Sequence, residues 1–239
     1  MDPTNDNANV RGAPPSESSQ PIQLAGSVLG DYRHVCAFFN SKEEEYDTLL
    51  PFVRDGLERG ERAYHVLPSK YRVEHLEQLR NAGIDVTAVL SRRQLEVATP
   101  QETYLRGGSF NKDVMLALIQ EALETGSTLG FPLTRLIAHA ETVLWHPEDW
   151  STVNEWIEYE TRLNDVLPRY DDPVICTYDL NLLNGCIAVD ILRTHPVAII
   201  GGLLCENPFF VPPQEFLRQL RQRSEAPPSH TWDDAGDHV

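Results

Sequence analysis

The sequence has no GxxxxGK[ST] stretch, no CxxC pair and no long apolar run, and each absence removes a class of function. Without a glycine-rich loop the backbone N–H groups cannot close around a triphosphate, so hydrolysis of the P-loop type is excluded. No window approaches the roughly 18 consecutive apolar residues that a membrane span requires. The opening MDPTNDNANVRGAPPSESSQ lacks the basic-then-apolar order of a secretion signal. Basic residues are few: 20 Lys and Arg stand against 36 Asp and Glu, a formal net charge of −16. Nucleic-acid affinity comes largely from basic side chains that release counterions at phosphates. Arg218, Arg221 and Arg223 make only a small basic patch, so no direct nucleic-acid contact is expected.

Cys36, Cys176, Cys186 and Cys205 are the four cysteines, and apolar neighbours flank them. Free cysteine behaves as a small buried hydrophobe in a reducing compartment, which points to the cytoplasm. HExxH and an ordered Ser–His–Asp set are also missing, and no carboxylate pair has a spacing that dictates a reaction.

What is present is alternation. Residues 1–25 and the stretch after 223 are rich in Pro, Ser, Asn and Asp and are expected to be disordered. Between them, strand-like runs at 34–40, 63–67, 94–98, 134–140, 173–179 and 197–201 alternate with amphipathic helices. Ser41, three residues before Glu44, opens the first helix in a capping-box arrangement. Pro51 should bend that helix or shift its hydrogen bonds, and Gly126 should end the helix that begins at 111 and buries Val114. A short helix is expected at 213–223. Strands joined through helices imply a three-layer α/β fold, a mainly parallel sheet flanked by helices.

Ligands of open parallel sheets bind beyond the carboxyl ends of the strands. Those ends carry Asn40 and Ser41, Thr99 to Tyr104, Glu141 to Trp145, and Asp179 to Asn184. The first turn, Asn40-Ser41-Lys42-Glu43-Glu44-Glu45, has no glycine, and its carboxylates would repel a polyphosphate. The mixture suits a small, mostly neutral molecule.

His34-Val-Cys36-Ala-Phe38-Phe39, Glu102-Thr-Tyr104-Leu-Arg106 and Glu158-Tyr159-Glu160 resemble stretches of one family. So does the late signature Leu192-Arg193-Thr194-His195-Pro196, with Ile199-Ile200-Gly201-Gly202 and Glu206-Asn207-Pro208-Phe209-Phe210. Over about residues 31–211 the chain resembles the MEDS sensory domains. The resemblance implies a RecA/KaiC-like core without a working nucleotide loop. It further implies sensing of small organic compounds, hydrocarbon derivatives among them, in prokaryotic signalling and transcriptional regulation. Members are often fused to an output module; residues 212–239, a short helix and acidic tail, are too short for one. Signalling in trans to a partner protein is therefore expected, and a homodimer stays open.

The candidate ligand-binding residues are His34, Cys36, Tyr104, Glu141, Trp145, Glu158, Cys176, Tyr178 and His195. His34 and Cys36 share one face of a strand, as do Cys176 and Tyr178. His-x-Cys can bind a soft metal, but a backbone-bonded imidazole beside an inert thiol is the plainer reading, so no metal and no cofactor are expected. His195, before Pro196, either caps a helix or orients a ligand. Glu141 sits where an α/β enzyme places a general base, whereas Glu160 reads as solvent-facing. Two alternatives stand beside the sensor: an enzyme using Glu141, His34 or Cys36, and a ligand-free interaction module in a kinase or anti-sigma pathway.

Overall fold

Strands covered by helices on both faces are apolar on both faces, and HVCAFF and VICTYD meet that condition along nearly their whole length. A computed structural model describes residues 20–140 and 150–225. The chain enters through a two-residue hairpin, β1 (Gln23–Leu24) with β2 (Ser27–Val28), and continues into β3 (His34–Phe39). From β3 it travels towards one edge through α1 (Lys42–Glu58), β4 (Arg62–Val66), α2 (Arg72–Asn81), α3 (Val86–Ser91) and β5 (Leu95–Ala98). It then reverses through α4 (Lys112–Thr128), β6 (Thr134–His139), α5 (Trp150–Val166), β7 (Val174–Asp179), α6 (Gly185–Thr194) and β8 (Val197–Ile200). An antiparallel edge strand, β9 (Leu203–Glu206), and α7 (Pro213–Glu225) complete the described chain.

The seven-stranded sheet has the order β5-β4-β6-β7-β3-β8-β9, parallel except for its last pair. One face packs the core of α1 to α3 around Phe52, Leu79 and Val89. The other packs α4 to α7 around Ile119, Trp156, Ile191 and Phe216. Opposite directions of travel with helices on opposite faces are what right-handed crossovers require. The three-layer expectation thus holds, and β3 and β7 lie side by side with their following helices on opposite faces. Such a switch point opens a crevice at the strand ends. Among the described residues, no helix is long and apolar enough to cross a membrane.

Several local expectations are corrected. The N-terminal tail ends earlier than residue 25, because Ile22 and Leu24 are buried against α1 and its neighbours. Ser41 accepts the Glu44 N–H, but the Glu44 carboxylate reaches back to the N–H of Asn40 rather than of Ser41. Helix α4 runs past Gly126 to Thr128, because the missing side chain leaves room for Thr134. Val114 faces solvent, half-exposed, one position off the buried Met115.

Candidate functional site

Strands β3 and β7 pair in parallel with Cys36 opposite Cys176 and His34 opposite Val174. Alternation along a strand then sets His34, Cys36, Cys176 and Tyr178 on one face. Helix α5 covers that face with Val153, Trp156, Ile157, Glu160 and Leu163, a stripe at helical spacing. Glu160 is therefore a core residue with 0% exposure, which overturns the solvent-facing reading. Glu158 sits two residues away on the outer side, pairing with Lys112 at 3.5 Å and Arg162 at 3.8 Å. A two-residue step along a helix turns a side chain through about 200°, and this removes Glu158 from the buried group.

Glu160 is the centre of a dense polar cluster. Its Oε1 accepts the Tyr178 hydroxyl at 2.8 Å, and the Trp156 Nε1–H points at that same hydroxyl from 3.4 Å. Its Oε2 lies 3.1 Å from His34 Nε2, 3.5 Å from His195 Nε2 and 3.6 Å from the Cys176 thiol. Burial, and next the charge of Glu160, push the thiols of Cys36 and Cys176 and the hydroxyl of Tyr178 well up. Burial, and next His34, hold His195 well below the usual histidine range.

The tautomers follow from the partners. Asn164 Nδ2 donates to the Thr194 carbonyl at 2.7 Å and lies near those of Glu160 and Thr161, so its Oδ1 must face His34 Nδ1, at 3.1 Å, as an acceptor. His34 therefore carries a proton on Nδ1. His195 Nδ1 lies 2.9 Å from the Ile191 carbonyl, which can only accept, and 2.8 Å from the Thr194 hydroxyl, which spends its own hydrogen on that carbonyl at 2.8 Å, so that nitrogen is protonated too. His195 thus caps the end of α6 and also turns Nε2 into the cluster. That Nε2 has no hydrogen-bond partner among the described residues.

The opposite face of the sheet carries a second group at the strand ends. A narrow cleft between α1 and α2 is walled by Leu49, Val53, Leu79 and Ile137 and encloses about 20 Å³, room for one or two waters. His65 and His75 share a 2.8 Å Nδ1–Nε2 bond, and Tyr46 Oη lies 3.2 Å from His75 Nδ1. Glu45 bonds His139 Nε2 at 3.1 Å and Lys42 at 3.3 Å. Burial alone would raise Glu45, but His139 and Lys42 outweigh it and bring the carboxyl down to about 2. His65 Nε2, lining the cleft, has no partner among the described residues.

Four expected residues, His34, Cys176, Tyr178 and His195, come together around Glu160. Cys36 lies beside them but gives its S–H to the Val197 carbonyl at 3.7 Å. Tyr104 is elsewhere: its hydroxyl donates to the His139 carbonyl at 2.8 Å and its ring meets Trp156 edge-on. Glu141 and Trp145 lie outside the described residues. Glu160, Glu45, His65, His75 and His139 were not anticipated. Each had a signal in its pattern, since Glu160 falls on the stripe of Trp156 and Leu163, His75 stands four residues before the buried Leu79, and His65 alternates with Ala63 and Leu67 on a buried face. The same alternation places His139 with Ile137, and helical spacing places Glu45 with Leu49.

Comparison with known proteins places the chain among sensory domains. The profile of the methanogen/methylotroph, DcmR sensory domain (MEDS) matches residues 33–196, and the chain belongs to that family. It is similar to the transcriptional repressor DcmR of Methylorubrum extorquens strain DM4, at 25% identity over 180 residues, or 75% of this chain. The chain spans 64% of the length of that relative. Among solved structures it is similar to a KaiC-like protein from Pyrococcus horikoshii OT3, with 14% identity and a TM-score of 0.46, covering 70% of this chain and 69% of that one.

Proposed function

We propose that this chain is a cytoplasmic sensing module that binds a small organic molecule in the α1–α2 cleft and signals in trans to a transcriptional regulator. Membership of a sensory-domain family and the likeness to a repressor support the regulatory setting. The observation that carries the ligand is His65 Nε2, buried and unpartnered among the described residues, in a cleft lined by Leu49, Leu50, Val53, Leu79 and Ile137 together with Glu45, Tyr46, His75 and His139. An apolar wall with a few convergent polar groups is the usual make-up of a small-molecule site.

The hydrogen-bond relay makes His65 adaptable. If Tyr46 donates to His75, the protons shift along and His65 presents an Nε2–H. If the relay runs the other way, His65 presents a lone pair instead. Either way the ligand needs one hydrogen-bonding group and a short apolar part, on the scale of one to a few heavy atoms. Larger members of a series would need Tyr46 to move aside.

The signal can leave through the sheet edge, where Leu203 on β9 and the nearby Phe209 are exposed. The charge of −16 supports a protein rather than a nucleic-acid listener. The test is histidine side-chain NMR on the purified chain during titration with short alcohols, amines and halocarbons. Saturable shifts of His65 and His75 support the reading. No shift with any compound overturns it and favours the ligand-free interaction module.

A further inference from the structure

The two histidines of the Glu160 cluster have their Nδ1–H groups committed, His34 to Asn164 and His195 to the Ile191 carbonyl. Both Nε2 atoms therefore point lone pairs at the region that Glu160 Oε2 and Cys176 Sγ also face. The four donor atoms lie within 4.8 Å of one another, and all four residues are buried. A buried carboxylate, two imidazole nitrogens and a sulfur converging away from water are the kind of group that is either paired by hydrogen bonds or holds a metal ion.

We infer that His34, Glu160, Cys176 and His195 form a binding site for one divalent transition-metal ion of the zinc class. A tetrahedral zinc site with Zn–N near 2.0–2.1 Å and Zn–S near 2.3 Å has edges of about 3.3–3.6 Å between its ligand atoms. The separations here are 3.1 Å for His34–Glu160, 3.5 Å for His195–Glu160, 3.6 Å for Cys176–Glu160 and 3.8 Å for Cys176–His34. The remaining separations, from His195 to His34 and to Cys176, reach at most 4.8 Å, so a shift of about 1 Å at the widest pair, and of a few tenths of an ångström elsewhere, brings the four atoms onto a tetrahedron. One thiolate, one carboxylate and two neutral imidazoles balance a 2+ ion, leaving the buried centre neutral.

The surroundings are those of a metal site as well. Metal-bound histidines give their other N–H to a fixed acceptor, and metal-bound carboxylates are themselves hydrogen-bonded. Asn164, the Ile191 carbonyl and Tyr178 fill these three places. Protons balance on loading: the Cys176 thiol releases its proton to solvent as the thiolate binds, and the two imidazoles and the carboxylate bind through atoms that carry none. With four protein ligands no coordination position is open, so the ion would hold α5 and α6 to the sheet rather than activate water.

The site lies across the sheet from the ligand cleft, so the two readings can fail separately. The test is metal analysis of the full chain produced in zinc-supplemented medium and gel-filtered, followed by replacement with Co²⁺. Folding of each variant is checked by circular dichroism. Wild type should carry about one equivalent of zinc, and its cobalt form should show a thiolate-to-cobalt charge-transfer band. Cys176→Ala should lose that band, Cys36→Ala should keep it, and Asn164→Ala should weaken affinity by about 10–100-fold. Folded wild type that holds neither ion, or a band that survives in Cys176→Ala, would overturn the proposal. Should Cys176→Ala not fold, the cobalt spectrum of wild type decides alone.

Discussion

His34 and His195 face each other with ring centroids 4.0 Å apart, and each turns Nε2 towards the same oxygen of Glu160. The two rings come from the start of β3 and the end of α6, over 150 residues apart in the chain. A single carboxylate from α5 joins them, so this contact ties three distant segments into one unit.

Removing that carboxylate should be costly. Glu160→Ala leaves the Tyr178 hydroxyl without its acceptor and His34 without its buried partner. Breaking a buried pair in this way typically costs about 3–5 kcal/mol. Glu158→Gln touches only exposed pairs and should change stability by no more than about 0.5 kcal/mol. Urea denaturation of both variants checks the contrast, and equal effects would place the wrong glutamate at the centre.

Gly56 offers a test on the other face. A Cβ there would stand 2.5 Å from Arg135 Nε, which bonds Glu61 at 2.5 Å while its Nη2 pairs with Asp55 at 2.8 Å. The guanidinium is pinned and cannot swing away. Gly56→Ala should therefore lower stability by about 1–3 kcal/mol, the usual cost of overpacking, with a lower urea midpoint.

Acid should weaken the fold before the carboxylates titrate. Burial first, and His139 second, bring His75 down to about 4, and burial holds His65 well below 6.5. Between these values and 6.5 the unfolded chain binds protons that the folded chain refuses, so stability falls as pH drops. Glu45 and Lys42 also face this group. Glu45, lowered to about 2, keeps its full contribution above its ordinary 4.5 and loses it only as pH falls towards 2. Asp172 is raised to about 6 by burial, and it works the other way by gaining stability as pH falls from 6 towards 3.8. With His195 also held well below the usual histidine range, three histidines outweigh one aspartate, so the urea midpoint should be lower at pH 5 than at pH 7. His75→Phe should narrow that difference.

The order of strands and helices was legible because buried parallel strands and amphipathic helices write distinct periods into the sequence. The site was legible only in part. His34, Cys176, Tyr178 and His195 stood out as polar residues on apolar strands or at a helix end, but which strands are neighbours depends on the crossovers. The in-register pairing of Cys36 with Cys176 could not be read from spacing. Glu160 was missed because a charged residue on a helix is exposed by default. Only the helical phase set by Trp156 and Leu163 marks it as buried. Helix α3, six residues long, was too short to show a period.

Tyr46 provides a further check on the cleft. Tyr46→Phe removes one end of the relay through His75 to His65. Affinity for a small ligand should drop about 5–10-fold, as for the loss of one hydrogen bond, while Glu160 and its partners across the sheet are untouched. Ligand titration by calorimetry measures it.

The most direct test is to map a bound small molecule onto the chain by backbone and side-chain NMR shift perturbation. Saturable shifts centred on Glu45, Tyr46, His65, His75 and His139 are predicted, with the His34 and His195 signals unmoved. Shifts confined to the Glu160 side of the sheet, or none across the panel of compounds, would contradict a sensor that reads its ligand in the α1–α2 cleft.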